Sequence, residues 1–171
     1  VEAYWIGNEL LDTIDKKKFY RHLLEDQKIE KQVGLKAFGF LKNKIRQGAV
    51  PHHSFHVLNV WRRTGHVNRE HTFESIDQCR VSWGTVSFID GPFITVKIQP
   101  LIHSGKKLSL GEAISKTITR NLDAVAEIDE LKIGDIVTIH WGVICEKISE
   151  QQALMLKKYT NLSLHFANQT I

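Results

Sequence analysis

The hydrophobic pattern of this chain changes its period near residue 75, and this change constrains the fold more than any other feature. Over residues 1–50, apolar side chains recur three and four positions apart, as on one face of a helix. They are Leu10, Leu11, Ile14, Phe38, Leu41 and Ile45. Asn8 and Asp15 stand where N-cap side chains are expected. The sequence therefore predicts a helical region over residues 1–75, with a histidine-rich junction segment near its end.

After this boundary the pattern becomes that of β-strands. Residues 94–98 alternate between apolar and polar side chains. Residues 135–141, between Gly134 and Gly142, form a second predicted strand with Val137, Ile139 and Trp141 on one face and Ile136, Thr138 and His140 on the other. Several short strands at such spacing are typical of a small barrel. This part of the chain is therefore predicted to be a β-domain.

The chain closes with a helical pattern. Ser149 and Gln152 have the spacing of a capping box, and apolar residues at helical spacing follow. We therefore predict an α+β fold in which residues 76–171 form a small β-barrel plus a C-terminal helix that packs on the barrel or on a partner.

Composition limits the class of protein. The chain has 171 residues, of which 42% are hydrophobic, and a net charge of +4, which supports a packed core and gives no indication of nucleic-acid binding. No apolar run approaches the roughly 18–20 residues that span a bilayer, and no signal peptide is recognised. The two cysteines suit a reducing compartment, so we expect a soluble, cytoplasmic protein. Because the chain starts at Val1 rather than methionine, we also expect it to be a fragment of a longer product.

Two residues of the β-region are candidates for metal chemistry. Cys79 stands at the predicted start of the first strand, and the adjacent Arg80 is expected to favour its thiolate, the form that binds metals. His140 lies near a strand end on the face opposite Val137 and Ile139, so its imidazole is predicted to point out of the core. Taken singly, each residue is also consistent with a purely structural role.

Three separated motifs occur in the order found in one known family. Cys79–Gly84 has a cysteine and a glycine separated by four residues, and Ile89–Gly91 is an Ile-Asp-Gly turn. Ile133–Ile144 has the form of a Val-Gly-Asp-Tyr-Val-Leu-Val-His-Val-Gly segment, and Ile148–Ala153 starts a helix. On these motifs, residues 77–160 resemble the HypC/HupF family of nickel–iron hydrogenase maturation chaperones, although Cys79 is internal here instead of following the initiator methionine.

The resemblance implies a fold and a function. The family members are small OB-like β-barrels that end in a helix and act as chaperones, not as enzymes. Their cysteine and histidine hold iron with its cyanide and carbonyl ligands, and these roles fall on Cys79 and His140. The implied partners are a hydrogenase large subunit or a HypD-like maturation protein. Segments Glu2–Asn8 and Pro51–Val57 resemble uncharacterised proteins in which a helical domain precedes such a barrel.

The histidine cluster His52, His53 and His56 is a possible source of further ligands. On a helix, His52 and His56 would be one turn apart and could share a metal. In a strand they would lie about 13 Å apart at about 3.3 Å per residue, too far for one ion. The β-branched and aromatic residues that follow favour the extended form. We therefore expect one of three roles for these histidines: a hydrogen-bonded structural residue at the domain junction, an additional ligand beside Cys79 and His140, or support of the thiolate by hydrogen bonding.

Other readings remain open at this stage. A metal-dependent enzyme would use His52, His53 and His56 together with His140. An OB-like module without metal would bind nucleic acid or protein. The basic pairs at residues 62–63 and 106–107 could contact a phosphate backbone, but surface charge of this density is usually solvated. Cys145 is expected to be a core residue, and a disulfide with Cys79 is an alternative.

Overall fold

The computed structural model describes residues 1–61, 73–105, 107–119 and 130–170. Its helices are α1 (Glu2–Trp5), α2 (Lys16–Arg21), α3 (Ile29–Arg46), α4 (His53–Phe55), α5 (Phe73–Cys79) and α6 (Glu150–Asn168). A 3-10 helix precedes α2 at Glu9–Thr13, and π-helical turns extend α2 at His22–Asp26 and α4 at His56–Trp61. The predicted helical character of the first fifty residues is confirmed.

Both predicted helix caps are present. The Asn8 side chain accepts a hydrogen bond from the backbone N–H of Leu10 at 3.1 Å, and Asp15 accepts one from Lys18 at 2.9 Å. The helices that follow bury an apolar cluster comprising Phe19, Leu23, Ile29, Phe38, Leu41, Ile45, Ala49, Phe55, Val60 and Phe166. Because Phe166 belongs to α6, the C-terminal helix completes the core of the N-terminal helices.

The strands are β1 (Ser82–Asp90), β2 (Phe93–Ile98), β3 (Leu101–Ser104), β4 (Lys107–Leu110), β5 (Ile114–Thr119), β6 (Ile136–His140) and β7 (Val143–Ile148). A five-stranded antiparallel sheet has the order β5-β2-β1-β6-β7, and β3 and β4 form a separate hairpin. The edge strands β5 and β7 come within 8 Å of each other at Cα, so the sheet curls. The predicted α+β fold class is confirmed.

Strand β6 separates two environments. Val137 and Ile139 are 0% and 2% exposed and pack in the core of the sheet. His140 lies on the opposite face, as the alternation predicts. The hairpin to β7 turns at Trp141 and Gly142, both with positive φ (51° and 74°), which is the two-residue turn that matches strand twist.

Helix α6 contributes residues to three of the apolar clusters of the molecule. Its predicted capping box is formed, with the Ser149 hydroxyl accepting from the Gln152 N–H at 3.2 Å and the Gln152 side chain accepting from Ser149 N–H at 2.9 Å. Leu156 packs with Ile6 and Val81 on the sheet side. Its C-terminal part packs against the β3–β4 hairpin. The helix therefore joins the sheet to the N-terminal helices. The sequence predicted only that it packs on the barrel or on a partner.

Two local predictions are wrong. The segment around residues 53–61 is helical, not extended, because its β-branched and aromatic residues are buried in helix-helix contacts, with Val57, Leu58 and Val60 each 1% exposed. Cys79 ends helix α5 and does not begin a strand, and β1 starts three residues later. Helix α5 also runs across residue 75, the predicted domain boundary.

Some sequence features lie outside the described residues. These are the basic pair at residues 62–63 and Lys106 of the second pair. Among the residues that are described, no helix combines the length and the apolar character that crossing a membrane requires.

Candidate metal centre

Three side chains from distant parts of the sequence converge at one point. His53 is the first residue of α4, Cys79 is the last of α5, and His140 is the last of β6. One ring nitrogen from each histidine and the Cys79 Sγ all lie within 4.8 Å of one another. Sequence reasoning paired Cys79 with His140 and left one of three histidines as an additional ligand; the structure brings His53 to the pair.

Local backbone structure holds these residues in place. The His52 Nδ1 accepts the backbone N–H of Ser54 at 3.1 Å, so His52 is the N-cap of α4 and His53 takes the first helical position. The backbone N–H of Trp141 donates to the Gln78 carbonyl at 2.8 Å. This bond joins the end of β6 to the end of α5 and so sets His140 beside Cys79.

The hydrogen bonds of His53 determine which of its nitrogens is available. Its Nε2 lies 2.8 Å from the Cys79 carbonyl oxygen, and because a carbonyl only accepts, Nε2 carries the proton. The neutral ring then has its lone pair on Nδ1, which is buried without a hydrogen-bond partner. A ligand histidine that donates its other N–H to a backbone carbonyl is the usual arrangement at protein metal sites.

His140 has the same feature, since its Nε2 is also buried without a partner. Within the described part of the chain, the other such side-chain atoms are Gln27 Oε1 and His52 Nε2, and neither belongs to a group of potential ligands. Buried polar atoms are rarely left unpaired, so two orphaned imidazole nitrogens beside one thiol fit a cation.

Burial sets the protonation of the site. It lowers the pKa of His53 and of His140, and the Cys79 carbonyl opposes the shift in both cases. Burial raises the pKa of the Cys79 thiol. The histidines are therefore neutral at pH 7, as metal ligands must be, while Cys79 is a thiol that a metal would have to deprotonate.

The expected role of Arg80 is wrong. Its guanidinium is buried and donates to Asp77 at 2.7 Å and to the Gln99 carbonyl at 2.7 Å. It therefore anchors α5 to the end of β2. The pKa of Cys79 is raised by burial, and Arg80 does not lower it.

Aromatic rings of α1 cover the group. The Trp5 ring centroid lies 4.9 Å from that of His53 and 4.9 Å from that of His140, and the Tyr4 ring lies 5.5 Å from His53. Burial, with a smaller contribution from the charge of Cys79, raises the pKa of Tyr4. The sequence did not predict that Tyr4 and Trp5 pack on the site. Residues 2–8 were noted only for their resemblance to other proteins, and that resemblance assigned them no role.

The donor set suits a transition metal with open positions. Bonds of about 2.0–2.3 Å from nitrogen and sulfur place tetrahedral ligands about 3.5 Å apart, so the side chains would close by about 1 Å around an ion. One thiolate and two neutral imidazoles leave at least one coordination position free for an exogenous ligand.

A family model matches residues 1–171, the whole of this chain. The chain belongs to the family of unknown function DUF6390. No match was found among curated proteins or among solved structures. The DUF6390 match spans the helical region and the sheet together, and therefore includes all three residues of the site.

The other histidines of the cluster do not join the centre of this DUF6390 protein. His52 is fully buried, and its ring stacks on Tyr159 with centroids 5.4 Å apart. Burial lowers the pKa of His52 to about 4. His56 lines a cavity that also includes His52, Phe19 and Leu23. The four-histidine site predicted for a metal-dependent enzyme is therefore not assembled, because His52 and His56 line this cavity and only His53 of the cluster joins His140 and Cys79.

Cys145 also differs from expectation. It is half-buried, not a core residue, beside the irregularity where β6 and β7 shift register after Thr138. Its Sγ donates to the Val143 carbonyl at 3.6 Å. Cys79 and Cys145 are both free cysteines, so the alternative of a disulfide between them is wrong.

Proposed function

We propose that this protein is a metallocentre accessory protein that binds iron through Cys79 and His140, with His53 as a third ligand. The observation that carries the proposal is the convergence of three ligand atoms within 4.8 Å. The resemblance of residues 77–160 to HypC/HupF chaperones supports the choice of metal and a cytoplasmic, non-enzymatic role in hydrogenase maturation.

The chemistry of the donors is consistent with such a cargo. A thiolate is a strong anionic donor for low-spin iron, and neutral imidazoles complete the site while leaving positions for cyanide or carbonyl ligands. Tyr4 and Trp5 place aromatic rings against the two histidines, while the three ligand residues stay only partly buried, so an exogenous ligand can reach the metal. His53 extends the two-residue site of the chaperones with a ligand from the helical region.

The partner that fits this role is a hydrogenase large subunit or a HypD-like maturation protein. Such a partner must reach the iron past α1, whose residues are not fully buried in the fold. Exposed Trp141 and Val143 lie beside His140 and offer apolar surface at the same place. Partner contact and access to the metal would therefore involve the same side of the molecule.

A second candidate function is a metal-dependent enzyme. It is favoured by one observation: three protein ligands with an open position are also the pattern of catalytic zinc sites. This version uses His53, Cys79 and His140 instead of the wider histidine cluster.

Metal analysis of protein made under reducing, anaerobic conditions tests the proposal. We expect about one iron per chain in the wild type and in Cys145→Ala, and none in Cys79→Ala, because only Cys79 supplies a thiolate to the site. His53→Ala should weaken binding, whereas His56→Ala, from the same cluster, should not.

Full iron binding by Cys79→Ala would overturn the site assignment. Retention of one zinc and no iron by the wild type would overturn the choice of cargo and favour the enzyme.

A further inference from the structure

A second concave site lies between helix α2 and the last turns of α3, away from the metal centre. It is a cavity of about 320 Å³ lined by Lys16, Lys17, Tyr20, Lys42, Ile45 and Arg46. It shares no lining residue with the group of His53, Cys79 and His140. A ligand bound in this cavity would therefore contact none of the proposed metal ligands.

The lining carries four positive charges and no carboxylate. In the described part of the chain, none of these four cations is in an ion pair. The acid nearest in sequence is Asp15, which caps α2 by accepting the Lys18 N–H and does not line the cavity. Positive charge is thus concentrated around a hollow without local compensation.

Stability of the helices explains only one of these charges. Arg46 lies in the last turn of α3, where a cation is favoured by the helix dipole, whereas Lys42 lies further inside the helix. Lys16 and Lys17 occupy the first turn of α2, where a cation is disfavoured by the same effect. A ligand that neutralises the charge would account for the lysines at this position.

Two of the cations are already oriented. The Lys16 Nζ donates to the Arg46 carbonyl at 3.1 Å, which joins α2 to α3 and leaves two ammonium protons for a ligand. The Lys42 Nζ lies 5.6 Å from the centroid of the Tyr20 ring. Both ammonium groups are therefore held at the wall of the cavity.

We propose that this cavity binds a small phosphorylated molecule. An Arg fork together with lysines is the donor set that suits phosphate oxygens. Tyr20 and Ile45 provide apolar surface for the organic part of the ligand. The volume is near the lower end of the roughly 300–1,000 Å³ of small-ligand sites, which favours a mononucleotide-sized compound over a polymer.

Calorimetric titration of the full chain with AMP, in metal-free buffer at low salt, tests this site. A matched pair of double variants isolates the cavity: Lys17→Ala/Arg46→Ala changes the lining, and Lys18→Ala/Lys36→Ala removes two exposed cations from the same helices outside it. We expect AMP affinity to fall at least tenfold in the first variant and to stay within twofold of wild type in the second. Adenosine should not bind, and inorganic phosphate should bind more weakly than AMP.

All four substituted residues are exposed, so both variants should retain the wild-type melting temperature. Amide chemical-shift changes on adding AMP to the wild type provide a second measurement and should cluster at residues 16–20 and 42–46. Equal loss of affinity in both variants would mean diffuse attraction and overturn the site, as would no AMP binding at 10 mM, roughly the limit of a weak site. Tight binding of a short RNA with no AMP binding would also overturn it.

Discussion

Three histidines within five positions have three different environments in this protein. The Nε2 of His53 donates to the Cys79 carbonyl, which leaves Nδ1 for a metal. The Nδ1 of His52 accepts the Ser54 N–H, so His52 acts as a helix cap. His56 lines a cavity whose wall also includes His52. The role of each imidazole therefore depends on which of its ring nitrogens is already hydrogen-bonded by neighbouring groups. The residue type alone does not determine it.

The buried cap His52 should make stability depend on pH. The unfolded chain takes up a proton at the ordinary histidine pKa of 6.5, whereas burial lowers the pKa of folded His52 to about 4. The unfolded state therefore binds more protons between these values, and the free energy of unfolding falls as pH drops from 6.5 to 4. The expected loss is about 3 kcal/mol from this residue.

Urea unfolding of wild type and His52→Asn across this pH range measures the effect. Asparagine keeps an oxygen that can accept the Ser54 N–H but does not titrate. As the pH falls from 6.5 to 4, the free energy of unfolding of the wild type should drop by about 3 kcal/mol more than that of His52→Asn. Parallel curves would contradict the buried, neutral state of His52.

Sequence reasoning identified Cys79 and His140 but not the position of His53. The alternation of β6 was sufficient to place His140 on the face opposite Val137 and Ile139. The conformation of the histidine cluster was predicted wrongly, because β-branched and aromatic residues also fill buried helices. Convergence of His53 with Cys79 depends on tertiary packing, which no local pattern contains.

At the scale of elements, α1 depends on the turn that follows it. Gly7 has φ +99°, and a Cβ there would overlap the ring of Tyr159, whose hydroxyl donates to the Asn8 carbonyl at 3.0 Å. The close approach of Gly7 to this ring fixes α1, and with it Trp5, over the metal centre.

A pair of glycine substitutions tests this packing. Gly34 also has positive φ (81°), but nothing lies within 4 Å of an added Cβ. Gly34→Ala should cost about 1–3 kcal/mol from backbone strain alone. Gly7→Ala adds a steric clash and should cost about 2 kcal/mol more.

Thermal or urea unfolding of the two variants gives the comparison. Equal destabilisation by Gly7→Ala and Gly34→Ala would mean that contact with Tyr159 does not hold α1.

Elements with a strong local signal were the ones predicted well. Asn8, Asp15 and Ser149 were recognised as caps because capping needs a particular side chain at a particular offset. Helix α5 was missed because its seven residues make only about two turns, too few for a clear apolar repeat, and Cys79 was assigned to the next strand instead.

On the scale of the whole molecule, a bound metal would link α4, α5 and β6. A ligand that binds only the folded state stabilises it by about 2.7 kcal/mol when present at 100 times its Kd. For a chain of this size, each kcal/mol corresponds to about 2–4 °C, so saturating metal should raise the Tm by about 5–10 °C.

Differential scanning calorimetry under anaerobic conditions, with and without ferrous iron, measures this shift. Cys79→Ser should abolish it and Cys145→Ser should retain it. An equal rise in Tm for both variants would mean that the metal binds elsewhere.

The position of β6 between β1 and β7 in the order β5-β2-β1-β6-β7 also has a consequence for biosynthesis. About half of the chain separates His53 from His140, so the ribosome delivers the first two ligands well before the third. Strands β1, β2 and β5 can pair while β6 is still being synthesised, and Cys79 stays without its full set of neighbours until β6 docks on β1. Metal loading is therefore expected after translation, on a finished fold, and not as a nucleus around which the nascent chain collapses.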